Sequence, residues 1–299
     1  MQKVLISGGS GLVGSMITQK LLQKGYEVSI LSRSNKKIPG VSVYQWDPAQ
    51  NKMDPEALQN VNCIINLAGA SVASGRWTDS QKQQIYNSRI DATKTLKKFL
   101  LHQEKKPQLF ISASAIGYYG YQSKVFTESD PPGQGFLAKV TVDWEEEAFK
   151  TREHGVRVAI VRIGVVLSEK DGALPKLVLP IKYYLGAPLG SGQQVISWIH
   201  IDDLSNLFIH LFENKIEGIF NAAAPNPVTN KQLTQVAANT IGKKLWLPNV
   251  PSFALKLALG EMSQVVLKSQ LVDGNKIEET GFNYRFPEIN SALQNLLGG

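Results

Sequence analysis

The chain has 299 residues, 43% of them hydrophobic and 19% charged, with a formal net charge of +7 at pH 7. That length can bury a large core, in one large domain or two unequal ones, and the composition excludes a disordered chain. The basic residues are scattered and pair only at Lys36–Lys37, Lys97–Lys98, Lys105–Lys106 and Lys243–Lys244. This argues against a nucleic-acid partner and for an anionic small ligand.

KVLISG at the start predicts a strand, GLVGSMITQKLLQKG a helix and YEVSILSR a second strand. The apolar run Val4–Ile6 is too short for a signal peptide or a membrane span, so no membrane partner is expected. After a loop, VNCIINLAG reads as a third strand, without polar alternation, as in a parallel sheet covered on both faces. It carries the single cysteine, Cys63, which reads as a buried, reduced thiol and points to a cytoplasmic home. Residues 80–102 predict a long helix and QLFISASA another strand.

QGFLAKVTVDWEEEA (134–148) predicts an amphipathic helix, with Phe136, Val140 and Trp144 on one apolar stripe. Lys139 falls on another side, and the acidic run Glu145–Glu147 reads as solvated surface. VRVAIVRIG supplies one more strand. This alternation predicts a doubly wound α/β domain over residues 1–170. From about Gly172, Pro and Gly become frequent. Residues 198–225, with a helix at Ile201–Glu213 and a strand IFNAA, are expected to return to the first domain. The rest of 171–299 is expected to form a smaller, mainly helical lobe, with a short strand GFNYRF before the last helix.

ISGGSGLVG places Gly8, Gly11 and Gly14 in a G-x-x-G-x-x-G spacing between strand and helix. Glycine permits the tight turn and close backbone approach. The helix start, Leu12, Val13 and Gly14, then offers N–H groups and a positive dipole end to a pyrophosphate. An NAD site usually carries an acidic residue at the end of the second strand, yet there is no Asp or Glu from Val28 to Trp46. Ser32 and Arg33, followed by Lys36 and Lys37, suit a 2′-phosphate instead, so NADP(H) is the expected cofactor. The plain alternative for Arg33 is a solvated loop charge.

GGSGLVG, NLAG (66–69), ISASAIGYYG (111–120) and WIHIDDL (198–204), in that order, resemble the extended short-chain dehydrogenase/reductase superfamily, with its nucleotide-sugar epimerases and dehydratases. RWTDSQKQQIYNSRIDATKTL, NAAAPNPVTN and ALGEMSQVVLKSQ are similar to its atypical "epimerase family protein" branch, which ends in a small domain of its own. The resemblance implies a Rossmann-like sheet. In typical members a Tyr-x-x-x-Lys pair stands on the helix that here spans 134–148, the Tyr as general acid/base and the Lys lowering its pKa. The matching positions are Phe136 and Val140, and Lys139 is one residue out of register, about 100° around the helix.

The resemblance implies that Ser114 polarises a substrate oxygen; a strand-end serine satisfied by backbone is the competing reading. Tyr118 and Tyr119 are candidates to replace the missing Tyr. Leu67, Ala68 and Gly69 are implied to line the cofactor, Gln84 and Arg89 to face it from the long helix, and Val166 to pass the nicotinamide. For Arg89 the alternative is a helix-surface salt bridge. His200 and Asp202 are read as anchoring the smaller lobe, and no histidine has a partner at metal-ligand spacing. Two functions follow: an NADP(H)-dependent oxidoreductase or epimerase acting on a small, nucleotide-linked or free substrate, or a non-catalytic NADPH-binding sensor or partner-binding module. A homodimer is compatible with either.

Overall fold

The structure, a computed structural model, describes residues 2–34, 37–121 and 124–298. Lys36, one of the expected phosphate-facing lysines, lies outside the described residues. One sheet contains β1 (Lys3–Ser7), β2 (Glu27–Ser32), β3 (Val41–Asp47), β4 (Lys52–Met53), β5 (Val61–Asn66), β6 (Leu109–Ala115), β7 (Arg157–Ile163) and β8 (Gly218–Ala222). The order across it is β8-β7-β6-β5-β1-β2-β3-β4. Its pairs are parallel except β3 with β4. This is a doubly wound α/β sheet, as the βαβ alternation predicts.

Side chains alternate between two cores, as a pleated strand requires. Val4 and Ile6 of β1 join Ile17 and Leu21 of α1 (Leu12–Gln23) on one face, together with residues from Ile201–Glu213 such as Leu207 and Leu211. Leu5, Ile64, Phe110 and Ile160 meet Leu96 and Leu100 of α2 (Asp79–Leu101) and Ala148 of α3 (Phe136–Phe149) on the other. α1 ends at Lys24 because Gly25 takes φ +82° and bonds back to Leu22 O, as helix-terminating glycines do.

Three expectations need correction. The loop placed before VNCIINLAG contains β3, whose alternating VSVYQWD extends the sheet beside β2. GFNYRF forms no strand: both carboxylate oxygens of Asp203 accept backbone N–H groups there, from Arg285 at 2.8 Å and Phe286 at 2.9 Å. Those donors are satisfied by a side chain, so they need no neighbouring strand. Glu145 and Glu147 are not solvated surface but 4% and 3% exposed.

The smaller lobe packs α4 (Ala173–Lys182), α6 (Asn230–Thr240) and α9 (Ile289–Leu297) around Leu174, Val178, Ile181, Leu233 and Leu293, with Trp198 beneath them. α5 is the helix Ile201–Glu213 of the sheet's first face. α7 (Ser252–Leu259) and α8 (Ser263–Leu267) cross beside the end of α2. Among the described residues no helix is long and apolar enough to cross a membrane.

Candidate functional site

The chain runs outward from β1 to β4, then returns to β5 on the other side of β1. The carboxyl ends of β1 and β5 therefore border the crevice in which doubly wound sheets bind ligands. The turn leaving β1 is built for close approach. Gly8 has φ +71°, and a Cβ there would lie 2.9 Å from the Leu67 carbonyl atoms. A Cβ on Gly14 would lie 2.3 Å from Gly8 O. Gly11 begins α1 with no side-chain cap, so the first-turn N–H groups of Leu12, Val13 and Gly14 lack an intrahelical acceptor and are free to meet an anion. The crevice floor is tied by buried hydroxyl and amide groups: Ser7 donates to Asn66 Oδ1 at 2.6 Å and Asn66 Nδ2 donates to Thr93 at 2.9 Å.

At the end of β2, Ser32 is buried and its hydroxyl donates to Ser34 O at 2.8 Å, closing a small turn. Arg33 is exposed, with no ion pair among the described residues. A glycine turn, an uncapped helix start and a guanidinium beside the second strand fit a phosphorylated dinucleotide.

Leu67, Ala68 and Gly69 leave β5 half-buried to exposed beside this turn, with Leu67 N donating to Ser7 O at 3.1 Å. Arg89 stands behind them: a Cβ on Gly69 would lie 3.0 Å from Arg89 Cζ. Its Nη1 donates to Ala70 O at 3.1 Å and Ile85 O at 2.8 Å, and it pairs with no carboxylate among the described residues. Burial without a counter-charge pulls this guanidinium down to about 10. Gln84 is exposed on α2. Val166 pairs with Ile199 just past β7, and its carbonyl and Leu12 approach the same glycine, Gly172.

The candidate hydroxyls are engaged inward. Ser114, 3% exposed, donates to Glu145 Oε1 at 2.6 Å. Glu145 holds the buried Arg162 through Nε at 2.9 Å and Nη2 at 2.8 Å. Arg162 Nη1 donates to the Tyr119 oxygen at 2.8 Å, and Tyr119 donates to Asn221 Oδ1 at 2.7 Å. Burial pushes the Tyr119 phenol up to about 12, against the opposing pull of Arg162. Tyr118 is half-buried, its ring centroid 3.4 Å from Arg162 Cζ, and its hydroxyl has no hydrogen-bond partner among the described residues.

On α3, Phe136 packs edge-on against Trp77 with centroids 5.3 Å apart. Val140 is buried with Trp77, Ile85 and Met262. Lys139 points outward to Asp143, at 2.7 Å, and Tyr86 also donates to that carboxylate.

The model of the NAD-dependent epimerase/dehydratase family matches residues 4–223, well over half of the chain. The chain belongs to that family. A domain of unknown function, DUF1731, matches residues 250–296. Epimerase family protein YfhF of Bacillus subtilis is 37% identical over 299 residues, covering 98% of this chain and 97% of its own. The chloroplastic epimerase family protein SDR39U1 homolog of Arabidopsis thaliana is 35% identical over 98% of this chain and 86% of its own. Human epimerase family protein SDR39U1 (isoform 2), solved with NADPH, superimposes with a TM-score of 0.88 at 29% identity over 99% of both chains. A nucleoside-diphosphate sugar epimerase from Corynebacterium glutamicum gives 0.80 at 32% identity, over 99% of this chain and 58% of its own. The first three of these relatives carry the name "epimerase family protein", the branch that the sequence motifs resemble.

Within this family member, sequence reasoning missed Glu145, Arg162 and Trp77. One signal was present: Arg162 interrupts the apolar run that follows Arg157 in β7, and a buried arginine needs a carboxylate.

Proposed function

We propose that this chain is an NADP(H)-binding protein in which the acid/base apparatus of short-chain dehydrogenases has been lost, so that cofactor occupancy itself is read by a partner. The Gly8–Gly14 turn and the α1 N–H groups of Leu12, Val13 and Gly14 would hold the pyrophosphate. Arg33 would hold the 2′-phosphate beside the turn that Ser32 closes through its bond to Ser34 O, and Leu67, Ala68, Gly69 and Arg89 would line the inner end. NADPH, when bound, can supply a hydride from its nicotinamide. The relative solved with NADPH supports the cofactor choice.

One observation carries the loss of chemistry: Ser114 gives its only proton to Glu145. A hydroxyl that donates inward accepts further bonds and, in this arrangement, has no second proton to offer a substrate carbonyl. Phe136 and Val140, standing where the Tyr and Lys would be, add an apolar wall with Trp77 and Met262. Neither can exchange a proton.

A second reading, reduction or epimerisation of a small or nucleotide-linked substrate, is favoured by Tyr118 alone. Among the described residues, its phenol is the candidate hydroxyl without an internal partner. A titration with NADPH and NADH, followed by a carbonyl-substrate screen monitoring NADPH oxidation, separates the two. The binding reading expects NADPH binding without turnover. Turnover abolished by Tyr118→Phe but kept in Ser114→Ala would replace it with the enzymatic one.

A further inference from the structure

The smaller lobe turns an unusual face to solvent. Leu179, Tyr183, Leu185, Trp246, Phe253 and Leu257 are between 58% and 74% exposed. They come from two stretches of chain joined into one surface. Leu189 is bridged to Val250, Gly190 N donates to Val250 O at 2.9 Å, and Lys243 Nζ donates to the Tyr184 hydroxyl at 3.0 Å. Helix α7, SFALKLAL, lies on this face with none of its residues buried. It is held to the loop after β5 by Arg76, which donates to the Leu257 and Ala258 carbonyls.

The two stretches carry charge of one sign, with acids only at their margins: Glu169 near Leu179 and Lys182, and Glu261, which pairs with Lys82. Residues 172–201 and 218–260 contain no Asp or Glu, but they contain Lys176, Lys182, Lys231, Lys243, Lys244 and Lys256. Exposed Trp, Tyr and Leu interleaved with lysine is the composition of surfaces that enter the headgroup layer of a bilayer. Each lysine near an anionic leaflet strengthens attachment by roughly five-fold. A second copy is a poorer occupant: apposing this face on itself across a two-fold axis sets lysines against lysines with no carboxylate from either stretch. We propose that the lobe docks peripherally on an anionic lipid bilayer, with Trp246, Phe253 and Leu257 entering the headgroup layer and the lysines facing lipid phosphates. No helix needs to span the membrane for this, and docking brings the loop carrying Arg76 toward the bilayer.

Tryptophan fluorescence reads the test cleanly. Trp246 is 67% exposed, whereas Trp46, Trp77, Trp144 and Trp198 are all 9% exposed or less. Full-length protein would be mixed with phosphatidylcholine vesicles with and without phosphatidylglycerol, following co-sedimentation and emission. Binding that requires phosphatidylglycerol, with a blue shift of Trp246 and quenching by brominated lipid, is expected. Lys243→Glu/Lys244→Glu should weaken it at least about ten-fold, and Phe253→Ser/Leu257→Ser should reduce it, both with NADPH binding unchanged as the folding control. The brominated-lipid quench on the native chain stands even if a variant misfolds. Three results would overturn the proposal: no lipid-dependent sedimentation, sedimentation without any change at Trp246, or concentration-dependent dimerisation abolished by Trp246→Ser. The last would make the face a self-interface, and binding to an acidic protein in place of vesicles would equally replace the lipid.

Discussion

The Ser114 hydroxyl donates to Glu145 Oε1 at 2.6 Å, and the same carboxylate grips Arg162 with both oxygens. The end of β6, where a substrate would meet a catalytic serine, is thus part of a buried ion pair joining β6, α3 and β7. Removing one partner of such a pair leaves the other charge buried and typically costs about 3–5 kcal/mol. Glu145→Gln should lower unfolding stability in urea by that order. Ser114→Ala should cost about 1–3 kcal/mol, the scale for one unmet buried bond, without changing NADPH affinity.

Arg33 supplies the discrimination between dinucleotides in the proposed function. Arg33→Asp removes a guanidinium from the 2′-phosphate and adds repulsion. A charge-assisted bond contributes about 1.5–3 kcal/mol, so NADPH should weaken by more than ten-fold while NADH changes little or improves. Paired fluorescence titrations check this, and equal losses for both cofactors would remove Arg33 from the site.

Gly14 leaves no room for a methyl group. Its Cβ would stand 2.3 Å from Gly8 O and 2.7 Å from Gly9 Cα, both backbone atoms that cannot swing aside. Gly14→Ala should displace α1 from the turn, costing about 1–3 kcal/mol of stability. NADPH binding, measured by calorimetry, should fall at least ten-fold. An unchanged dissociation constant would argue that the cofactor does not use this turn.

Arg89 should show a trade between stability and binding. Its guanidinium is held down to about 10 by burial, so the fold bears a cost for keeping it charged. Arg89→Met keeps the packing against Trp144, whose ring lies 5.2 Å from Arg89 Cζ. We expect a melting temperature equal to or above that of the native chain, with weaker NADPH binding. A destabilised variant with native affinity would make Arg89 purely structural.

His200 gives the fold an acid-sensitive point. Burial lowers its imidazole to about 4, with Asp202 opposing the shift, against about 6.5 in an unfolded chain. A depressed folded-state pKa means the neutral ring is favoured in the fold. Its contribution is complete above pH 6.5 and is lost as pH falls through 4. Nδ1 accepts the Asp202 N–H at 3.0 Å, a capping bond that asparagine can reproduce. Urea midpoints for His200→Asn should therefore fall less steeply than the native chain's between pH 6.5 and 4.

The glycine turn was legible in the sequence because its requirements are local: a strand, a tight bend and a helix start within a dozen residues. The sheet was legible for a similar reason, since each buried strand carries its own apolar run. β3 was missed because, next to the sheet's edge, it is only half covered, so VSVYQWD alternates instead of forming an apolar run. Glu145 and Glu147 were misread because burial depends on partners elsewhere: Arg162 for one, and Lys97 with Lys150 for the other. The wall of Trp77, Phe136, Val140 and Met262 is assembled from three separate segments, the loop before α2, α3 and the turn after α7. The stripe of Phe136 and Val140 announces a buried face, but nothing in α3 announces that Trp77 and Met262 cover it.

β8 lies against β7, with Gly218 opposite Ala159 and Ala222 opposite Ile163. Between these two strands the chain leaves the sheet and builds α4 in the smaller lobe. As the polypeptide emerges from the ribosome, β7 therefore waits with an open row of amides and carbonyls until residue 222 has been made. Any nascent or truncated form ending sooner displays that unpaired edge to neighbouring chains, a template for aggregation. The last strand is thus the sheet's guard during biosynthesis.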